Sequence, residues 1–399
     1  MKLAALVLVF MWFLAVGGAA AVAGVPGVPG DKAPPGPAPP DDLPPELPVT
    51  SPAIRCSTVP EQDEGSIGPV VYSRDGTTLI TGNMHGMLRW FDATSGRMKL
   101  SRRVIPHYRS SVTGLARSPD GQTLASNTDI GEVSLLDATT GVPRLMLEKP
   151  PSDAKYPTKL YPGRFSSDGK RVACWLDSHE VLLYDVTTGR RDALLPTQTI
   201  TQPWTGSEFE RALPPTVLPA IFVLAVKPDG QSGIPEKWIV RTWDLNTGRE
   251  VARWEEAAHG AYIGPYAFAP DNSIMAMSRL LTEDHRPGRA GRLELRDPAS
   301  GRRIAQLPTQ GWINDVKFLP DGKTLVSLED HRIIRLYNVA TARQLDAVRL
   351  DHHNHLENLA VAPDGKRIAA AGYESAHIFG VIYQFDTDGS SLTLWKPQP

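Results

Sequence analysis

The sequence predicts an all-β fold, a seven-bladed β-propeller of four-stranded antiparallel blades, and three observations carry that expectation. First, one six-residue element recurs seven times: FDATSG at Asp92, LDATTG at Asp137, YDVTTG at Asp185, WDLNTG at Asp244, RDPASG at Asp297, YNVATA at Asn338 and FDTDGS at Asp386. Second, another turn stands upstream of six of these, with its aspartate at Asp75, Asp120, Asp168, Asp271, Asp321 and Asp364. Third, the segments between turns are short, rich in Val, Leu, Ile, Ala and aromatics, and alternate as half-buried strands do.

Each element follows from local chemistry. An Asp side chain accepts hydrogen bonds from backbone amides just ahead of it, and Gly supplies the positive φ that closes a tight hairpin. In four repeats the two turn residues, both Asp in three and Asp321 with Asn338 in the other, are 17 residues apart, which leaves room for two strands and a short loop. Val112 to Leu147 therefore reads as one four-stranded meander, with one turn joining its first two strands and the other its last two. A single such sheet leaves a face unpacked, and stacking the sheets radially around a channel buries those faces while leaving only short edges. Repetition also overrules the two or three domains that 399 residues would otherwise suggest.

The recurring pattern of S-P-D-G, x-V-x-L-x-D and T-G resembles the WD-repeat family over residues 53–399. The resemblance implies a propeller used as a protein-interaction scaffold. Departures are visible in the residue before the third-strand Asp, which is Phe91, Leu136, Tyr184, Trp243, Arg296, Tyr337 and Phe385, so only one is Trp. The family's buried His-Ser-Asp-Trp network has candidate aspartates in Asp129, Asp177 and Asp330, with His107, His259 and His355 near the matching loop in three repeats. These lack a uniform pairing, so the network is not carried over to any blade.

Two places need separate treatment. In the fourth repeat VKPDG (Val226–Gly230) mimics the first turn, but only QSGIPE separates it from KWIVRTWD. Gly233 and Pro235 do not suit a strand there, so Ala220–Val226 is expected as the second strand, with the PDG in the second-to-third loop. At closure, Ala53–Val59 is expected to supply the outer strand of the last blade, with Leu392–Lys396 as the rival.

Ahead of the repeats, Lys2 precedes an uncharged apolar run, and small residues end in Ala21–Ala23 before Gly24. Residues 1–24 read as a secretory signal, with an uncleaved N-terminal anchor (3–24) as the alternative, and both place the protein outside the cytoplasm, periplasmic or secreted. Residues 25–52 are dense in Pro and Gly and nearly free of large apolar side chains, which makes them a disordered linker. The 42 Lys+Arg against 44 Asp+Glu give a net charge of -2 with no basic block, which argues against nucleic acid as a partner. Two cysteines, Cys56 and Cys174, are too few for a disulfide framework.

Function is expected on one rim. The two short turns of every blade share a rim, so the long connections share the other, and loops on a rigid scaffold are the usual place for binding. Three insertions stand out there. Pro196–Arg211 carries Trp204 and Phe209 as candidate aromatic anchors, Thr282–Arg292 carries the charged Asp284, His285 and Arg286, and Asp351–His355 carries His352, His353 and His355. Neighbouring side chains of an extended chain point to opposite faces, so the three histidines are not expected to converge on a metal. No metal site, cofactor or catalytic residue is assigned, since G-x-S-x-G, HExxH and P-loop motifs are absent. The expectation is a monomeric, exported, non-catalytic scaffold for protein partners, with a possible membrane tether through its N-terminal segment. The alternative is an exported propeller enzyme with a ligand in the central channel, of quinoprotein-dehydrogenase or lactonase type. Asp244–Trp254 resembles the tryptophan-docking repeats of quinoprotein dehydrogenases, though it occurs once and its Trp lies two positions too far from the Gly.

Overall fold

In a computed structural model, the turn aspartates do the work their chemistry suggests. The structure describes residues 54–55, 67–104, 111–149, 160–176, 181–195, 224–226, 237–257, 261–281, 291–309, 311–350, 354–374 and 379–394. Asp137 Oδ1 accepts from the amides of Thr139 and Thr140 at 3.1 and 2.8 Å and from the Thr140 hydroxyl at 2.9 Å. Those bonds, the Thr140 amide first, hold its carboxyl down to about 2. Gly141 closes the turn at φ 66°. In the sixth repeat the same place is filled by Asn338, with Ala342 at φ 54°. A left-handed Ala costs roughly 1–2 kcal/mol, so Ala342→Gly is expected to stabilise the protein by about 1 kcal/mol in urea unfolding. An unchanged or lower midpoint would show that the turn is not strained.

The chain starts with β1 (Ile54–Arg55) and then lays down seven antiparallel sheets among the described residues. The first holds β2 (Ile67–Tyr72), β3 (Thr78–Asn83), β4 (Met87–Asp92) and β5 (Met98–Arg103). The second holds β6 (Val112–Arg117), β7 (Thr123–Thr128), β8 (Val133–Asp137) and β9 (Pro143–Met146). The third holds β10 (Leu160–Phe165), β11 (Arg171–Leu176), β12 (Val181–Asp185) and β13 (Arg191–Leu195). The fourth shows three strands, β14 (Leu224–Val226), β15 (Lys237–Asp244) and β16 (Arg249–Ala257). The fifth holds β17 (Ala261–Phe268), β18 (Met275–Leu281), β19 (Arg292–Arg296) and β20 (Arg303–Leu307). The sixth holds β21 (Ile313–Phe318), β22 (Thr324–Glu329), β23 (Ile333–Asn338) and β24 (Arg343–Arg349). The seventh holds β25 (Asn354–Val361), β26 (Arg367–Glu374), β27 (Phe379–Thr387) and β28 (Leu392–Leu394), together with β1.

β14 pairs antiparallel with β15, and residues 227–236, which carry the PDG expected in the second-to-third loop, lie outside the described residues. At the other irregular place, neither chain end alone closes the last sheet. β27 is nine residues long, and its outer edge takes β28 along Phe385–Thr387 and β1 along Val381–Ile382. Two short strands end to end therefore share one edge, where sequence reading preferred the N-terminal strand and kept the C-terminal one as its rival.

Apolar faces pack from sheet to sheet. Ile80, Leu88 and Trp90 meet Leu124 and Leu136 of the second sheet. Leu183 and Leu195 meet Trp243 and Leu245 of the fourth, and Val240 and Trp254 meet Tyr266 and Met275 of the fifth. The seventh packs back on the first through Ala369, Ala371 and Ile382 against Tyr72, Leu79 and Phe91. The architecture is a β-propeller of four-stranded antiparallel blades. Arg296, which stands where the resemblance would place an aromatic, is buried against Glu294 and Glu256 and lies 5.5 Å over the Trp254 ring. Cys174 is a free thiol in the core, and burial pushes its pKa well above the usual range.

Candidate functional site

The short links, first strand to second and third to fourth, run four to six residues in every sheet where both strands are described. The longest connections, 147–159, 196–223, 227–236 and 282–291, all leave from the opposite rim. Trp204, Phe209, Asp284, His285, Arg286, His352 and His353 lie outside the described residues. His355, half-buried at the start of β25, is the one expected rim residue whose surroundings are described.

Those surroundings are built by a strained turn. Between β22 and β23, Asp330 and His331 adopt φ 46° and 61°, a left-handed pair that non-glycine residues rarely adopt. Neighbouring groups hold it in place. Asp330 Oδ1 accepts from the Trp312 amide at 2.8 Å, and its own amide donates to the Trp312 carbonyl at 2.8 Å. The His331 amide donates to Asn314 Oδ1 at 2.7 Å, and the Leu356 amide of the seventh sheet donates to the His331 carbonyl at 2.8 Å. The His331 ring is thereby presented to His355 with centroids 4.5 Å apart, and His355 stacks on Tyr373 at 5.1 Å with ring planes 8° apart. His355 Nδ1 is buried without a hydrogen-bond partner, and Trp312 beside the turn keeps 36% of its surface exposed.

This aromatic patch spans the rim of the sixth and seventh sheets and offers flat, amphipathic surface of the kind that anchors partners. His331, Trp312 and Tyr373 were not singled out by sequence, because a lone His in EDHR carries no motif. Asp330 was noticed as a candidate for the family's buried network, and the structure shows what it does instead. It grips the backbone of the loop ahead of its blade, as Asp129 does through the Ser111 amide at 3.1 Å. Asp177, His107 and His259 lie outside the described residues. Among the described residues, no group of three His, Cys, Asp or Glu is placed to hold a metal.

A second concentration of charged groups is buried on β10 and β21. Asp315 on β21 pairs with Lys317 and accepts from the amides of Val316 and of Leu359 on β25, both at 2.8 Å. Burial raises the Asp315 pKa and lowers that of Lys317. Arg164 on β10 is also buried, and desolvation lowers its pKa despite the opposing influence of Tyr266.

The fold and rim define a β-propeller with one elaborated face. No protein-family model matches the chain, and no curated protein matches it. Among solved structures it is similar to Hydrazine Synthase from Kuenenia stuttgartiensis, with a TM-score of 0.62 and 15% identity over 84% of this chain and 99% of that one. A likeness at that identity shows the propeller fold alone.

Proposed function

We propose that the protein is an exported, non-catalytic interaction platform, a seven-bladed propeller divergent from the WD-repeat family whose long-loop rim engages a protein partner. The observation that carries this reading is the asymmetry between rims. One is made of tight Asp turns, and the other carries the long connections and the patch of Trp312, His331, His355 and Tyr373. Seven blades are supported by the seven sheets among the described residues, of which the fourth shows three strands. Export rests on the apolar N-terminal run, and residues 25–52 serve as the spacer between that segment and the propeller.

The test is cross-linked capture from the native extract with the protein and with a Trp204→Ala, Phe209→Ala, His285→Ala variant. Partners recovered with the first and lost with the second support the platform. The same proteins recovered with both, or none with either, would remove it. A second reading, a propeller enzyme, starts from the likeness of Asp244–Trp254 to a tryptophan-docking repeat, and Trp254 packs against Gly301 of the next blade. One solved structure it resembles is also, by its name, a synthase.

A further inference from the structure

We propose that the side wall of the fourth, fifth and sixth sheets is a docking surface for an extended acidic segment of a partner protein, one that alternates carboxylates with aliphatic side chains. This surface is separate from the long-loop rim and stands whether or not the rim binds a protein.

The argument starts from register. The outermost strands β5, β9, β13, β16, β20 and β24 each break register once against the third strand of their sheet, in the manner of a β-bulge. The residue passed over stands seven positions after the turn Asp or Asn in every case. In the first three sheets it is charged and tied down within its own sheet, Lys99 to Asp92 at 2.9 Å, Arg144 to Asp137 at 2.6 Å and Asp192 to Arg171 at 2.5 Å. In the next three it is Val251, Ile304 and Leu345, which keep 59%, 46% and 38% of their surface exposed. Charge at a bulge is a usual means of keeping an open sheet edge from associating with other chains. The first three sheets follow that rule and the next three abandon it on the same backbone, so the aliphatics are not a requirement of the fold.

The three aliphatics are neighbours along the wall. A methyl carbon on Gly301 would stand 2.2 Å from Trp254, and these two residues lie three positions from Ile304 and Val251 respectively. Ala305 and Ala342 pack on one cluster, the first beside Ile304 and the second three residues before Leu345. Positive charge flanks them. Arg249 and Arg253 alternate with Val251 on the exposed face of β16, Arg302 and Arg303 precede Ile304, and Arg343 stands two before Leu345. Arg303 reaches Glu294 at 3.3 Å and still keeps 54% of its side chain exposed. Most carboxylates of these strands are already engaged, Glu250 with Arg241, Glu256 with Arg296 at 2.8 Å and Asp346 with the Leu392 amide at 2.7 Å. Glu255, 3.7 Å from Arg253, is the exposed acid among them. Arginines beside exposed aliphatics complement a partner with carboxylates beside aliphatics, since a guanidinium fork matches paired carboxylate oxygens. Positions on three successive sheets of a closed ring follow a curve, which an extended chain can track and a flat surface cannot. The seventh sheet ends the run, because its outer edge is divided between β1 and β28.

The experiment places an aliphatic diazirine residue at position 304 of the full chain and, separately, at position 99, the equivalent place in the first sheet. Illumination is carried out in the native setting, and the joined peptides are read by mass spectrometry. Position 304 is expected to join another protein within a segment of alternating acidic and aliphatic residues, and position 99 to join none. The yield from position 304 is expected to fall about tenfold or more when Arg249→Glu, Arg302→Glu and Arg343→Glu are combined, since the reversed charges repel the docking carboxylates. Should that variant fail to fold, sodium chloride raised to about 0.5 M screens the same charges and is expected to give a comparable fall. Adducts with lipid, with a second copy, with another part of the same chain or with a protein segment lacking acids would overturn the surface. So would the same adduct from both positions, no adduct from position 304, or a yield indifferent to charge reversal or salt.

Discussion

Glu329→Ala is expected to destabilise the protein by about 3–5 kcal/mol, the usual cost of breaking a buried charge pair by removing one partner. Glu329 is fully buried and Arg335 is 1% exposed. The Glu329 carboxylate accepts from the Ser327 hydroxyl at 2.7 Å, the Tyr337 hydroxyl at 2.8 Å and Arg335 Nε at 3.2 Å. Removing it takes one shared acceptor away from three donors inside the sixth sheet. Part of that loss is the penalty on Arg335 and not the worth of the pair. Glu329→Leu combined with Arg335→Met is therefore expected to cost less than Glu329→Ala alone in urea unfolding. Equal or greater loss in the double variant would mean that the pair itself contributes the stability.

The second large effect lies between blades. Gly301 closes the RDPASG turn at φ 71°, and a methyl carbon there would stand 2.2 Å from Cδ2 of Trp254 in the preceding sheet. Gly301→Ala combines a left-handed alanine with an overpacked contact, for a loss of about 2–4 kcal/mol. Trp254→Ala removes the obstacle but leaves the backbone strain, so the two substitutions together should cost less than the sum of each alone. Strict additivity in that cycle would show that Gly301 and Trp254 do not meet.

What could be read in the sequence was whatever chemistry is local. An Asp followed by Thr-Gly or Asp-Gly fixes its own turn through bonds to residues two or three away, so the repeats and the odd fourth repeat were visible before any coordinates. Closure was not, because β1 and β28 are both only two or three residues long and only the length of β27 decides that each takes part of its edge. The rim was half visible. His355 stands out in DHHNH, whereas His331 gains its place from a left-handed turn and from hydrogen bonds to Asn314 and Leu356. Arg164 and Lys317 escaped notice for a related reason. In YPGRF and DVKF they look like the polar members of alternating strands, and only packing within the ring of blades shows that they are buried.

The claim that a partner meets the long-loop rim is tested most directly by placing a photo-cross-linking residue at position 285 on that rim and, separately, at position 139 on the opposite one. The account predicts that illumination in the native setting yields one partner adduct from position 285 and none from position 139. An adduct from position 139 alone, the same adducts from both, or none from either would contradict it.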